Sequence, residues 1–306
     1  MAAASLPSAL QSLANYRAHN TRVSQEVVEK GKLLLKAKSA SKLGDDAWAF
    51  LEQLALAAID VAKYEVADEC LRLLAAKFPD SPRVDVLSGI RMEATQPPEI
   101  ALKFYDELLE KDSSNAAICK RRISVLIRTG KVEQAVLELS EYLDTFYSDV
   151  EGWVELAELY SSCHQYTFAT QALSHALLLA PQNPFYVLQF AETAYTADDI
   201  PLAVKMFMLC LDIVDKHTSE ESIPTGVSIR AWYGVKLCCR ALSGRSCSSA
   251  SDTPLPKNLN LLDELATERI LTAYSAAGKD NATIRELVLT WMGPSDRSGG
   301  RVHFVR

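Results

Sequence analysis

VEGWVELAELYSSCHQYTFATQALSHALLLAPQN, residues 150–183, decides the fold of this chain. Trp153, Leu156, Ala157 and Tyr160 fall at i, i+3, i+4 and i+7, which is one stripe of an amphipathic helix. Ala169, Leu173 and Ala176 fall at i, i+4 and i+7 and make the stripe of a second helix. Ala157 and Ala169 are small, so they mark where the two backbones come closest. Pro181 ends the second helix because it offers no backbone N–H and clashes with the preceding turn. The spacing therefore predicts a pair of antiparallel helices joined by a short turn.

The pair is repeated. Steps of 34 residues lead from Ala169 to Ala203 one way and to Ala135, Ala101 and Ala67 the other. A large residue stands four places after each alanine: Leu71, Tyr105, Leu139, Leu173 and Phe207. The small position of the first helix reads Ala55, Gly89, Ile123, Ala157 and Ala191, where Ile123 breaks the rule and Arg122 stands where leucine is wanted. This is the tetratricopeptide (TPR) pattern W-x2-L-G-x2-Y followed by A, F and P, with Ala157 for the glycine and Leu173 for the phenylalanine. The expected fold is all-α, a TPR α-solenoid of stacked antiparallel helix pairs at 48–81, 82–115, 116–149, 150–183 and 184–217. One helix pair cannot bury its own apolar face, so the pairs must stack. The turns inside the pairs are expected at Gln96-Pro97-Pro98, Thr129-Gly130 and Asp198-Asp199-Ile200-Pro201.

Outside 48–217 the register slips. Residues 1–47 are expected to hold N-terminal capping helices over 5–20 and 23–38, the second interrupted by Gly31 at a cost of about 1 kcal/mol against alanine. A polar connection, SASKLGDD, follows at 39–46. Asp45 or Asp46 is placed to cap the next helix, and Asp80 or Ser81 the one that starts at Pro82. Residues 218–292 read as an irregular sixth pair with Gly234 as its small position, a serine-rich inserted loop at 243–257 and a C-terminal capping helix. Residues 293–306 read as a disordered tail.

With 306 residues, 48% of them hydrophobic, the chain can bury a large core. A net charge of −7 offers no basic face for phosphates, so nucleic acid is not an expected partner. No run of 18 apolar residues exists and no membrane span is expected. The start, MAAASLPSAL, lacks the basic and long apolar regions of a signal peptide. Seven cysteines, an odd number with no CxxC, read as reduced thiols of a cytosolic protein.

In helix pairs of the TPR family, positions 2, 5, 9 and 12 of the first helix line a concave face. They place Lys120, Glu151, Glu158, Phe185 and Glu192 there, with Arg128 beside Lys120's helix face. These six are the candidate partner-binding residues: basic around the third repeat, acidic around the fourth and fifth. The alternative is that they are solvated helix faces. A clamp for acidic chaperone tails is not supported, since only Lys120 of its six positions matches and Glu155 puts a carboxylate in the pocket. Catalysis finds no footing either. Cys163 and His164 are adjacent and point about 100° apart on a helix. Glu155 and His175 lack partners at ligand spacing, and Cys238-Cys239 reads as two packed thiols. No nucleophile elbow, phosphate loop or HExxH is present, so no enzyme, cofactor or metal is expected.

Asn20, Arg22, Ser24, Glu29 and Gly31 precede Ser-Lys-Leu-Gly-Asp-Asp-x-Trp at 41–48, and KFPDSPRV, YDELLEKD, TGKVEQAV and WVELAELY follow. Over roughly residues 15–280 this resembles the second-subunit family of the endoplasmic-reticulum (ER) membrane protein complex. The resemblance implies a peripheral subunit on the cytoplasmic face of the ER membrane, a scaffold that cradles the cytosolic parts of membrane-embedded subunits. It also implies that the whole complex inserts tail-anchored and multipass proteins, with insertion carried by another subunit. The other reading is a free soluble TPR adaptor that captures peptides or chaperones in its groove.

Overall fold

The computed structural model describes residues 6–36, 46–215, 223–244, 251–275 and 279–292. Most of the SASKLGDD connection, part of the 243–257 loop and the tail after Gly293 lie outside them. Every regular element among the described residues is a helix. In chain order these are α1 (Leu6–Ala18), α2 (Ser24–Lys36), α3 (Asp46–Asp60), α4 (Tyr64–Lys77), α5 (Pro82–Glu93), α6 (Pro98–Lys111), α7 (Ala116–Arg128) and α8 (Val132–Thr145). They continue as α9 (Val150–Ser162), α10 (Tyr166–Leu179), α11 (Pro184–Thr196), α12 (Ile200–Asp215), α13 (Val227–Gly244), α14 (Leu259–Ala273) and α15 (Lys279–Met292). The fold is an all-α TPR solenoid of antiparallel helix pairs. It divides into two compact units, Met1–Tyr142 and Leu143–Arg306, with the boundary inside α8.

The period is written into the helix ends. Asn115, Asp149 and Asn183 stand 34 residues apart, and each accepts a hydrogen bond from a backbone N–H of the helix it starts: Ile118 at 3.2 Å, Gly152 at 3.2 Å and Phe185 at 3.0 Å. Ser81 holds the same place before α5, but its side chain makes no such bond, and Pro82 supplies the preset first turn instead. The tight turns within pairs are also periodic. Ala62, Gly130, His164 and Asp198 all adopt left-handed backbone, with φ of 55°, 76°, 58° and 64°. Proline placement differs from the expected turns in two places. Pro98 and Pro201 lie in the first turns of α6 and α12 rather than before them, where the missing N–H has no intrahelical partner to lose.

In the first unit, α1 and α2 cover the start of the stack. Leu13, Val27, Val28 and Leu34 pack with Phe50, Leu51 and Leu54 of α3 and with Ala67, Cys70 and Leu74 of α4. Gly31 is not a mere interruption of α2. A Cβ there would sit 2.5 Å from a methyl of Leu54, so glycine is what lets α2 lie on α3. A second cluster holds Ala101, Tyr105 and Leu108 of α6 against Ile118 and Val125 of α7. Gly89 on α5 faces Tyr105 in the same way, since a Cβ there would collide with the ring.

In the second unit α9 packs on α10, α10 on α11, α11 on α12, α12 on α13 and α13 on α14. Gly234 on α13 is the close-approach position opposite Phe207. Across the two units, the five periodic alanines Ala67, Ala101, Ala135, Ala169 and Ala203 are all 0% exposed.

Candidate partner-binding surfaces

Several polar side chains of the first helices are engaged with the next first helix along. In the first unit, Glu52 on α3 meets Arg83 on α5 at 2.7 Å. Glu93, at the end of α5, is the most buried of these carboxylates, with only 4% of its side chain exposed. It accepts hydrogen bonds from the Tyr105 hydroxyl at 2.6 Å and from Arg121 Nε and Nη2 at 3.0 and 2.7 Å. A carboxylate so withdrawn from water must be paired to be tolerated. Burial first, and then the bond to Glu93, push the Tyr105 hydroxyl well above its ordinary pKa.

The two basic candidates lie on α7. Lys120 is half-buried, with its ammonium 5.8 Å from the centre of the Tyr142 ring. Arg128 is exposed and reaches Glu93 at 3.6 Å. Arg122, which takes the place of a leucine, is paired with Asp106 at 2.7 Å and with Glu138. Arg122 and Arg128 of the third repeat are therefore answered by carboxylates of the same unit.

The acidic candidates lie in the second unit. Glu151 is exposed in the first turn of α9, where its charge suits the helix N-terminus. Glu158 is exposed one face along and accepts from Gln189 Nε2 of α11 at 3.3 Å. Glu192 on α11 is held by Arg230 of α13 through Nε at 2.5 Å and Nη2 at 2.9 Å. Phe185, in the first turn of α11, is 64% exposed. The structure thus puts Lys120 and Arg128 on one helix of one unit, and the other four on α9 and α11 of the second unit.

Glu93, Arg121, Gln189 and Arg230 were not among the expected site residues. Their partners lie 28, 31 and 38 positions away. Opposite charges about one repeat apart are the signal that would have found the two ion pairs.

The remaining candidates for chemistry have structural employment. His164 Nδ1 lies 2.9 Å from the Tyr166 hydroxyl, while Cys163 Sγ lies 3.9 Å from Ser162 Oγ. His175 stacks on Trp153 with ring centres 4.4 Å apart, and Trp153 Nε1 donates to the Tyr147 carbonyl at 2.9 Å. Burial drives the Cys238 and Cys239 thiols up to about 12 and about 11. Among the described residues, no group of His, Cys, Asp and Glu is placed to hold a metal ion. None of the described helices is long and apolar enough to cross a membrane.

Residues 80–204 match the family described as the EMC2 TPR-like repeat domain. The chain is 35% identical over 264 residues to ER membrane protein complex subunit 2-B of Xenopus laevis, covering 86% of this chain and 85% of that one. Subunit 2 of Xenopus tropicalis matches at the same identity and coverage. TPR repeat protein oca3 of Schizosaccharomyces pombe is 28% identical over 226 residues, or 71% of this chain and 75% of that one. Among solved structures, the C-terminal part of a TPR repeat-containing protein from Cytophaga hutchinsonii superposes with a TM-score of 0.58. It covers 91% of this chain and 98% of its own at 13% identity, which is likeness of fold alone.

Proposed function

The chain belongs to the ER membrane protein complex subunit 2 family, and from that membership we propose that it is a non-catalytic scaffold subunit of this complex. In this reading it sits peripherally on the cytoplasmic face of the ER membrane. Its first-helix faces, with Lys120 and Arg128 in one unit and Glu151, Glu158, Phe185 and Glu192 in the other, contact the cytosolic parts of membrane-embedded subunits. The complex as a whole inserts tail-anchored and multipass proteins, and this chain organises it without carrying the insertion step.

The observation that carries the reading is the extent of the likeness: 35% identity running through 86% of this chain and 85% of the Xenopus laevis subunit. A relative matched along 85% of its length supports the same stack of helix pairs, and a stack of that kind works through its surface. The polar groups with the most demanding surroundings, Glu93 and Arg121, hold helices to one another. That is the employment expected in a scaffold and not in a reaction site, where such groups would converge on a substrate cleft.

Copurification tests it. A tagged full chain extracted from membranes in mild detergent should bring down several integral membrane subunits in stable proportion. A chain that stays in the soluble fraction and retains none of them would overturn the scaffold reading in favour of the free adaptor.

A further inference from the structure

The second unit, over α9 to α11, combines exposed apolar side chains with an excess of negative charge. From Leu143 to Val204 the sequence holds eight Asp and Glu and no Lys or Arg. Some of these carboxylates have local duties: Asp149 caps α9, Asp199 accepts from the Leu202 N–H at 3.3 Å, and Glu192 is met by Arg230 from beyond the stretch. Glu151 and Glu158 stand on the exposed side of α9.

In the same unit, Leu178 is 78% exposed, Tyr147 71% and Phe185 64%. Tyr147 lies in the loop before α9, Leu178 in the last turn of α10 and Phe185 in the first turn of α11. Tyr147 precedes α9, where its carbonyl is tied to Trp153; Trp153 stacks on His175; and Leu178 lies one turn beyond His175 at the end of α10. Phe185 opens α11 at the position Glu151 holds in α9, one repeat earlier. A carboxylate and an aromatic ring thus occupy the same place on successive first helices.

Resting on the scaffold reading, we propose that this face docks a polypeptide segment of a partner in which basic residues are interleaved with large apolar ones. The apolar side chains supply burial, while Glu151 and Glu158 select for positive charge and speed encounter. Other occupants fit less well. An anionic lipid surface or a nucleic acid would be repelled by the same carboxylates. A second copy of this chain, packed face to face, would set each acidic patch against itself.

The test uses the full chain and a dye-labelled amphipathic peptide of lysine and leucine, with a glutamate and leucine counterpart as control, read by fluorescence anisotropy. The lysine peptide should bind and the glutamate peptide should not. Glu151→Lys with Glu158→Lys should weaken binding by about tenfold or more. Leu178→Ser with Phe185→Ser should weaken it comparably. The same charge change on the first unit, Glu65→Lys with Glu107→Lys, should leave it unaltered. All six residues are exposed, so circular dichroism should be unchanged throughout.

Equal affinity for the two peptides, or equal losses from the first-unit and second-unit charge variants, overturns the proposal. So does a loss confined to charge reversal, which would reduce the face to general attraction. If the wild-type chain still copurifies membrane subunits while the peptide ignores this face, the docking inference falls and the scaffold reading stands.

Discussion

Ala62, Gly130, His164 and Asp198 share one backbone geometry, and only one of them is glycine. For an L-residue the left-handed region costs roughly 1–2 kcal/mol, partly offset in glycine by its larger loss of backbone freedom on folding. Ala62→Gly should therefore raise stability by about 0.5–1 kcal/mol, and Gly130→Ala should lower it by about the same amount, both read from thermal melting. Opposite shifts would mean that these turns relax out of the left-handed region at no cost. The periodic alanines make a second test. Ala169 is wholly buried on α10, which packs on α9, so Ala169→Leu should overpack the pair and cost about 1–3 kcal/mol; an unchanged melting curve would refute the close approach. The thiols give a third. Burial drives Cys70 up to about 12 and Cys210 up to about 11, whereas Cys163 is exposed. Alkylation of the folded chain near neutral pH should mark Cys163 first and leave Cys70, Cys210, Cys238 and Cys239 intact until the chain unfolds. The alanines were legible in the sequence because burial at every helix crossing forces one residue type onto one period. The turns were not fully legible, because alanine, histidine and aspartate hide a geometry that only glycine advertises.

At the scale of helices, the sequence shows which face is apolar and leaves open which polar groups join one helix to the next. Arg122 in a leucine position looked like a flaw, yet its place beside Asp106 and Glu138 makes it a tie between α7 and its neighbours. Glu192, a candidate for partner binding, is also held by Arg230 within the unit. Pairings across 28 to 38 residues depend on how far each helix is rotated in the stack, and periodicity alone does not fix that rotation. Glu192→Lys should then cost up to about 1 kcal/mol by setting two cations together, a loss that Arg230→Glu introduced with it should largely restore. No recovery in the double variant would show the pair to be energetically idle. The N-terminal helices carry a pH-dependent tie of the same kind. Arg22 holds the Asp60 carboxyl below its ordinary value of 3.8, burial opposes the shift, and the Ser24 hydroxyl assists it. Glu26 on α2 is likewise lowered, by the Tyr16 hydroxyl and then by Lys30. A carboxyl lowered in the folded state stabilises it fully above the unfolded value, and that stability is lost as pH falls through the folded value. Hydrogen exchange in α1 and α2 should therefore quicken below about pH 4. Asp60→Asn with Glu26→Gln should flatten that dependence, and a variant that keeps the full wild-type slope would assign it to other groups.

Across the molecule, a stack of helix pairs is stable only if its ends are covered, because each pair leaves an apolar face for the next. The first unit meets this need with α1 and α2, which share no TPR register and were legible only as amphipathic segments. Their packing was not: Gly31, which propensity marks as a weakness, is the point at which α2 comes down on Leu54. Leu13, Val27, Val28 and Leu34 complete a cluster whose other half is Phe50, Leu51 and Leu54 of α3. Removing residues 6–36 would return that half to water. At roughly 1.5–3 kcal/mol for each large apolar side chain uncovered, the loss is comparable with the whole stability of a typical domain. The truncated chain should bind a hydrophobic dye, lose protection across α3 and α4, and aggregate on warming. Gly31→Val in the full chain should reproduce the effect in milder form, since its branched side chain would lift α2 from Leu54. A truncated chain that melts like the intact one, with α3 still protected, would show that α1 and α2 merely decorate the stack, and the first unit would then have to begin at α3.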